Sequence, residues 1–373
     1  MLNYLRWLLL PFSLLYGLVV MLRNWCYDAG MFKSRKFKLP VICVGNLDVG
    51  GAGKSPMTEY LVRLLRSDYK LATLSRGYGR QTKGFLIASR NLGLSQTTAT
   101  ATENTADLNT AAELGDEPAQ FAQKFPDVTI AVCEKRVNGI EHLQTDHDLI
   151  ILDDAYQHRA VEPGFSVLLF DYNRLNETHL LLPAGNMREP FVGRYRADVF
   201  VVSKCPDNLS EQQKQAITAR LKPLTYQQVF FSAIDYLPLQ RFSGSKAEVM
   251  MPDKDTIVFL LTGIANAQPL LLYLRKITSH TVHHNYPDHH QFSLKNIAKL
   301  AQEFDNCTAA KKVIITTEKD AQRLREPELV PLINSLPVMV LPIGISFLNK
   351  GEAQFNKTIF NYVRQYTTHG SVH

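Results

Sequence analysis

The stretch Gly50-Gly51-Ala52-Gly53-Lys54-Ser55-Pro56 follows the apolar run VICVG. Glycines that end in Gly-Lys-Ser at a strand-to-helix junction are what a phosphate cradle requires. Successive backbone N–H groups and the helix N-terminus point at the anion, Lys54 reaches the β- and γ-phosphates, and Ser55 can ligate Mg²⁺. Pro56 suits a first helical turn, where its missing N–H is no loss. In the pattern G-x-x-x-x-G-K-[ST] the first glycine would fall at Asp48, so Gly50, Gly51 and Gly53 carry the loop. A nucleotide site also needs a second magnesium anchor at the end of a neighbouring apolar strand, and LIILDD supplies Asp153 and Asp154 there. The plainer reading of those two acids is a helix cap.

A second chemical concentration is HTVHHNYPDHHQF, residues 280–292, with five histidines in thirteen positions. Imidazole is the commonest transition-metal ligand, yet Pro287 interrupts any single-helix zinc spacing. Further clusters lie between the apolar runs: SRGYGR (75–80), GDEP (115–118), EKR (134–136), DDAYQH (153–158) and LLPAGNMREP (181–190).

The elements that must position these groups are short β-branched runs at 39–45, 69–75, 127–133, 148–154, 165–171 and 198–204, separated by helical segments. Continuous apolar runs read as strands covered on both faces, hence a mostly parallel α/β sheet that binds ligands at the carboxyl ends of its strands. Residues 95–110 lack hydrophobic periodicity and predict a long exposed loop or lid. The segment 226–250 alternates and contains Pro238, which predicts an extended two-stranded connector rather than more of the sheet. A second α/β unit follows over 251–345, with strands near 256–262, 312–319 and 337–343, and residues 346–373 form a C-terminal helix and tail.

Residues 1–38 stand apart from this pattern. WLLLPFSLLYGLVVML (7–22) is nearly all apolar, and Arg6, Arg23, Lys33, Arg35, Lys36 and Lys38 face a single acid, Asp28. The run is short for a transmembrane helix and is interrupted by Pro11 and Gly17. No small-residue cleavage site follows it. An apolar helix with a polybasic flank is what anionic headgroups attract, so membrane attachment, spanning or lying on the surface, is favoured over a buried core helix. Cys26, Cys43, Cys133, Cys205 and Cys307 show no C-x-x-C pairing, which points to a reducing compartment. A net charge of +6 with no recognisable module argues against nucleic-acid binding.

The order of VGNLDVGGAGKSP, SRGYGR, GDEP, DDAYQH, LLPAGNMREP, YPDHHQF and TTEKDAQRL, behind an N-terminal apolar helix, closely resembles the tetraacyldisaccharide 4′-kinases, the lipid A 4′-kinases of Gram-negative bacteria. The resemblance implies two α/β/α domains, a P-loop NTPase-like first domain, a two-stranded β linker, a cleft between the domains and a basic, membrane-facing entrance. It implies transfer of the ATP γ-phosphate, with Mg²⁺, to the 4′-hydroxyl of a tetraacylated glucosamine disaccharide 1-phosphate at the cytoplasmic face of the inner membrane. No obligate protein partner is implied. Carried onto this chain, Lys54 and Ser55 match the phosphate-loop lysine and magnesium hydroxyl, and Asp153 and Asp154 the acidic pair. Arg76 and Tyr78, with Gln157 and Arg188, match substrate and phosphate contacts. Arg136 matches a catalytic-site arginine, and Glu189 a residue near the magnesium. Asp116 is similar to the family's catalytic aspartate, helped by a histidine of the DHH segment, most simply His289, with His290 adjacent. Two other readings compete: a membrane-associated P-loop ATPase or GTPase switch, for which VSKCPD (202–207) only partly imitates a base-specific segment, and a non-enzymatic metal-binding protein built on the histidines.

Overall fold

The computed structural model describes residues 6–88, 111–242 and 251–369. The expected lid at 95–110 and the second half of the expected connector, 243–250, lie outside the described residues.

Residues of alternating side in each strand divide the chain into layers. In β1 (Val41–Asn46), Ile42 and Val44 enter one apolar cluster while Val41 and Cys43 enter another, the period-two consequence of a strand covered on both faces. The same holds for β2 (Leu71–Ser75), β4 (Thr129–Val132), β5 (Leu149–Asp153), β6 (Phe165–Asp171) and β7 (Val199–Ser203), each almost wholly buried. With the short β3 (Leu86–Ile87), β8 (Gln228–Tyr236) and β14 (Ile343–Phe347) they form a sheet ordered β14-β8-β7-β6-β1-β5-β2-β4-β3. It is parallel except where β3 meets β4 and β14 meets β8. The helix Lys54–Leu65 seals one face with Met57, Leu61, Val62 and Leu65.

The second sheet is ordered β11-β10-β12-β13-β9, built from β9 (Gln240–Arg241), β10 (Ile257–Thr262), β11 (His280–Asn285), β12 (Lys312–Thr317) and β13 (Val338–Leu341). Phe259 and Leu261 of β10 point into one cluster and Val258 and Leu260 into the other. Two α/β domains with mostly parallel sheets are therefore present.

The boundaries between them differ from the sequence reading. The segment expected to be a self-contained two-stranded connector is, over its first half, β8, which continues the first sheet parallel to β7. Its antiparallel partner is β14, a hundred residues on, so that Tyr236 faces Ile343 and Ser232 faces Phe347. Pro238 suggested an end to sheet structure; it sits just past β8, where the chain leaves the sheet, so the breaker is real but the strand before it remains paired. The two crossings between domains are tied by Leu237 N–H donating to Pro342 C=O (3.0 Å).

The C-terminal helix Gly351–His369 likewise belongs to the first domain. Phe355, Ile359, Tyr362 and Val363 recur at helical spacing on one side and complete the cluster beneath β1. The Tyr362 hydroxyl accepts the Val41 N–H (3.0 Å) and donates to the Val41 carbonyl (3.2 Å). Tyr362→Phe should leave that buried N–H without a partner and cost about 1–3 kcal/mol, which a denaturant or thermal melt would register as a lowered midpoint.

Candidate active site

The phosphate loop forms because glycine stands where the backbone turns left-handed: φ is +104° at Gly50 and +86° at Gly53, the cap of the helix beginning at Lys54. Its first half, where Asp48 and Val49 replace the usual pattern, is pinned from outside. Val49 N–H donates to Asn186 C=O (2.7 Å), Arg174 donates to Val49 C=O (2.7 Å), and Asp48 bridges Met187. The LLPAGNMREP segment thus holds the half of the cradle that lacks its glycine.

Lys54 Nζ donates to Asn46 Oδ1 (3.1 Å) and lies 3.6 Å from Asp154. Burial lowers its pKa, against the pull of Asp154. Asp153 and Asp154 end β5 beside β1, with Val44 level with Asp153 in register. The two acids differ in electrostatic state. Asp153 is buried and accepts from Thr58 (2.9 Å); burial, then the charge of Asp154, push its pKa up to about 6. For Asp154 burial also acts upward, but Lys54 and Arg188 outweigh it and hold the carboxyl below its usual range. Asp154 adopts φ +47°, an unusual backbone for a side chain of its kind and one that clusters at functional sites.

Arg188 donates to both oxygens of Asp154 (2.8 and 3.2 Å) and to Asn46. Glu189 is 2 % exposed, and its oxygens accept from Arg196 (2.8 and 3.0 Å), Gln157 (2.9 Å) and Asn24 (3.3 Å). Gln157 also donates to Asn46 C=O (2.8 Å). The structure therefore shows Glu189 and Gln157 as ties between the phosphate loop and the N-terminal helix. Arg136 is 3 % exposed and bonded only to the carbonyls of Cys133 and Glu134, with Nε unpartnered; burial, then Arg76, lower its pKa. A buried cation without a bonded acid among the described residues is a ready anion site.

Across the cleft, Asp116 begins the helix Asp116–Lys124, and its Oδ2 lies 3.0 Å from His289 Nδ1 of the second domain. His289 has φ +58° and is held there by its own N–H donating to Gly263 C=O (3.1 Å) and Asp288 Oδ1 (3.1 Å). His290 turns the other way, bonded to Asn296 (3.1 Å) and stacked on Tyr286. Tyr78 is exposed, with its ring 6.3 Å from that of His289, and Arg76 is exposed beside it. The remaining histidines of the cluster sit on β11, where His283 meets Thr262 (2.8 Å) and His284 meets Glu303 (3.2 Å). Among the described residues no group of three or more His, Cys, Asp or Glu is placed to hold a metal ion.

Sequence reasoning named TTEKDAQRL as a motif but gave none of its residues a role. The structure brings Arg323 from it, fully buried, onto Asp116: Nε donates to Oδ2 (3.0 Å), and Nη2 reaches the same oxygen. Lys319 pairs with Glu117 (2.6 Å), Gln322 with Gln123 (3.0 Å), and Lys124 with Glu318 and Glu59. A charge of sign opposite to Asp116 and Glu117, repeated at i and i+4 on a short helix, was the available signal.

The N-terminal helix Leu10–Asp28 lies against this site through a narrow stripe. Ser13 accepts from Ala184 N–H (2.8 Å), Gly17 abuts Leu181, Tyr16 donates to Arg188 C=O (2.7 Å), and Arg23 donates to Gln157 C=O. Its other sides expose Phe12, Leu14, Leu15, Leu18, Val19 and Leu22. No helix among the described residues is long and apolar enough to cross a membrane.

A profile of the tetraacyldisaccharide-1-P 4′-kinases matches residues 5–364. The chain belongs to that family. A tetraacyldisaccharide 4′-kinase of Flavobacterium psychrophilum is 42% identical over 99% of this chain and 100% of its own, and one of Phocaeicola vulgatus is 40% identical over 96% and 95%. A crystal structure of LpxK from Aquifex aeolicus, in complex with ATP, superposes with a TM-score of 0.69 at 29% identity, covering 96% of this chain and 99% of that one. The P-loop kinase fold and the lipid kinase activity expected from the motifs stand. The switch and metal-binding readings give way to them.

Asp153 has a sign that can be tested. Its folded pKa is raised, so the folded state binds the extra proton between about pH 4 and 6, and stability is lost as pH rises through that window. Asp153→Asn should abolish turnover yet raise the melting temperature of the nucleotide-free protein at pH 7.5, by the equivalent of roughly 3 kcal/mol, with little change at pH 4. An unchanged melt at pH 7.5 would show that the carboxylate is already neutralised.

Proposed function

We propose that the family reaction runs on this chain through the residues just placed: ATP is held on the 50–55 loop, and the 4′-hydroxyl of a tetraacylated glucosamine disaccharide 1-phosphate attacks its γ-phosphorus in the cleft beside Asp116. The observation that carries this is the meeting of Asp116 and His289, one from each domain, at 3.0 Å. Asp116 takes the hydroxyl proton as the new O–P bond forms and the bond to the β–γ bridging oxygen breaks. His289 orients the carboxylate and shares the proton. Lys54, Arg136 and Arg188 are the cations that offset charge spreading over the transferring group. Arg76 and Tyr78, exposed at the rim, are assigned to the acceptor.

Magnesium fits the donor set. Asp153 is a buried carboxylate whose raised pKa reports a negative charge not yet compensated, and Mg²⁺ takes one or two carboxylates plus phosphate oxygens rather than an all-protein cage. Ser55, Asp153 and Asp154 would hold the ion; bound there, it would neutralise developing charge on the phosphates. Glu189, engaged by Arg196, Gln157 and Asn24, is not among the carboxylates we assign to it.

The exposed apolar sides of the N-terminal helix, continued by Trp25, Met31 and Phe32 and flanked by Lys33, Lys36 and Lys38, support attachment to an anionic membrane surface by lying on it. The cytoplasmic face of the bacterial inner membrane is the location that fits, with five unpaired cysteines and ATP as donor. The deciding assay is incubation of detergent-solubilised protein with labelled ATP, Mg²⁺ and a lipid A disaccharide precursor, with labelled lipid as the expected product. Steady ATP hydrolysis with no labelled lipid, across detergents, would overturn the reading. In the same assay Asp116→Ala should lower kcat by at least about 10²-fold while nucleotide affinity changes less than about threefold.

A further inference from the structure

Arg323 places four of its five N–H groups on acceptors at the junction of the two domains. Nε and Nη2 both donate to Oδ2 of Asp116, Nη1 donates to Gly263 C=O (2.9 Å) and to Asp320 Oδ1 (3.0 Å), and Nη2 also approaches His289 Nδ1 (3.2 Å). A guanidinium offers five N–H groups in a fixed plane and no acceptor, so the two to Asp116 and the two to Gly263 and Asp320 lock its orientation. Gly263 C=O is the same carbonyl that receives the His289 N–H. One side chain therefore fixes the carboxylate of the first domain and the backbone turn that carries the histidine of the second.

The contact is selective. Arg323 and His289 both address Oδ2 of Asp116, which leaves Oδ1 outside these bonds and turned by them into one orientation. Asp320, wholly buried, anchors the guanidinium from behind; its N–H and Oδ2 are closed onto Thr317, so the anchor is itself held. A lysine in place of the arginine would supply charge but neither the plane nor the fork. A purely structural ion pair would need only the bond to Asp320.

We propose that Arg323 is a positioning residue for the phosphoryl transfer: by occupying Oδ2 of Asp116 from the second domain it presents Oδ1 to the acceptor hydroxyl, and it does so only when the two domains are together. The inference rests on Asp116 being the base. Arg323 touches neither the nucleotide loop nor the acidic pair, so its removal acts on the chemical step through Asp116 and leaves nucleotide binding alone.

The test is a double-mutant cycle on the full chain, with kcat, the KM for ATP and a thermal melt recorded for wild type, Arg323→Lys, Asp116→Asn and the double variant. Arg323→Lys should lower kcat by at least about 30-fold with the KM for ATP within about threefold, and in the Asp116→Asn background the same change should alter the residual kcat by less than about threefold. If Arg323→Lys gives no cooperative melt, Arg323→Gln, which keeps a planar polar group without the charge, carries the same comparison. Equal losses in both backgrounds, or a folded Arg323→Lys with wild-type kcat, would overturn the role of Arg323 alone. Wild-type kcat in Asp116→Asn would overturn the base assignment itself.

Discussion

Parallel pairing of β1 with β5 is the constraint on which the site depends. Because Val44 stands level with Asp153, the phosphate loop that leaves β1 and the acidic pair that ends β5 emerge side by side at one edge of the sheet. Both strands are buried on both faces, so neither can slip by a residue without turning every apolar side chain to the wrong cluster. The relative placement of Lys54 and the two aspartates is thus fixed by core packing rather than by contacts among the charged groups. Among them Lys54 draws Asp154 while the two aspartates repel each other, and the sheet is what keeps Asp153 buried beside Asp154.

The second half of the site is held by weaker means. The helices Asp116–Lys124 and Glu318–Arg323 meet through polar pairs, Arg323 with Asp116, Lys319 with Glu117, Gln322 with Gln123 and Lys124 with Glu318. An interface of this kind resembles a transient contact more than a core. The covalent path between the domains is equally spare, two chain crossings joined at Leu237 and Pro342.

What could be read in the sequence divides along physical lines. The strands of the first domain were legible because double burial gives unbroken apolar runs, and the phosphate loop because glycine, lysine and serine each have a local reason to be there. The arrangement of 226–250 was not: β8 is a strand by virtue of pairing with β7 and β14, and β14 lies a hundred residues away. Arg323 was missed for a related reason. In sequence, nothing in EKDAQRL marks one of its charged residues for the interior, and only tertiary placement turns that arginine inward to full burial. For the histidine of the DHH segment the motif left two residues open, and the left-handed turn separates them, swinging His289 toward Asp116 and His290 onto Tyr286.

The stripe by which the N-terminal helix docks has a thermodynamic consequence. Tyr16 bonds to Arg188, Asn24 to Glu189 and Arg23 to Gln157, so a helix with an apolar outer surface is tied directly to the residues flanking the phosphate loop. With that surface seated in a lipid leaflet, the catalytic cleft stands about one helix diameter, ~10 Å, from hydrocarbon. A multiply acylated sugar could then offer its headgroup to the cleft while its chains stay in the bilayer. Lifting those chains into water would cost about 0.8 kcal/mol for every methylene exposed. On the membrane attachment proposed above, the short polar stripe on one helix would spare the reaction that extraction step.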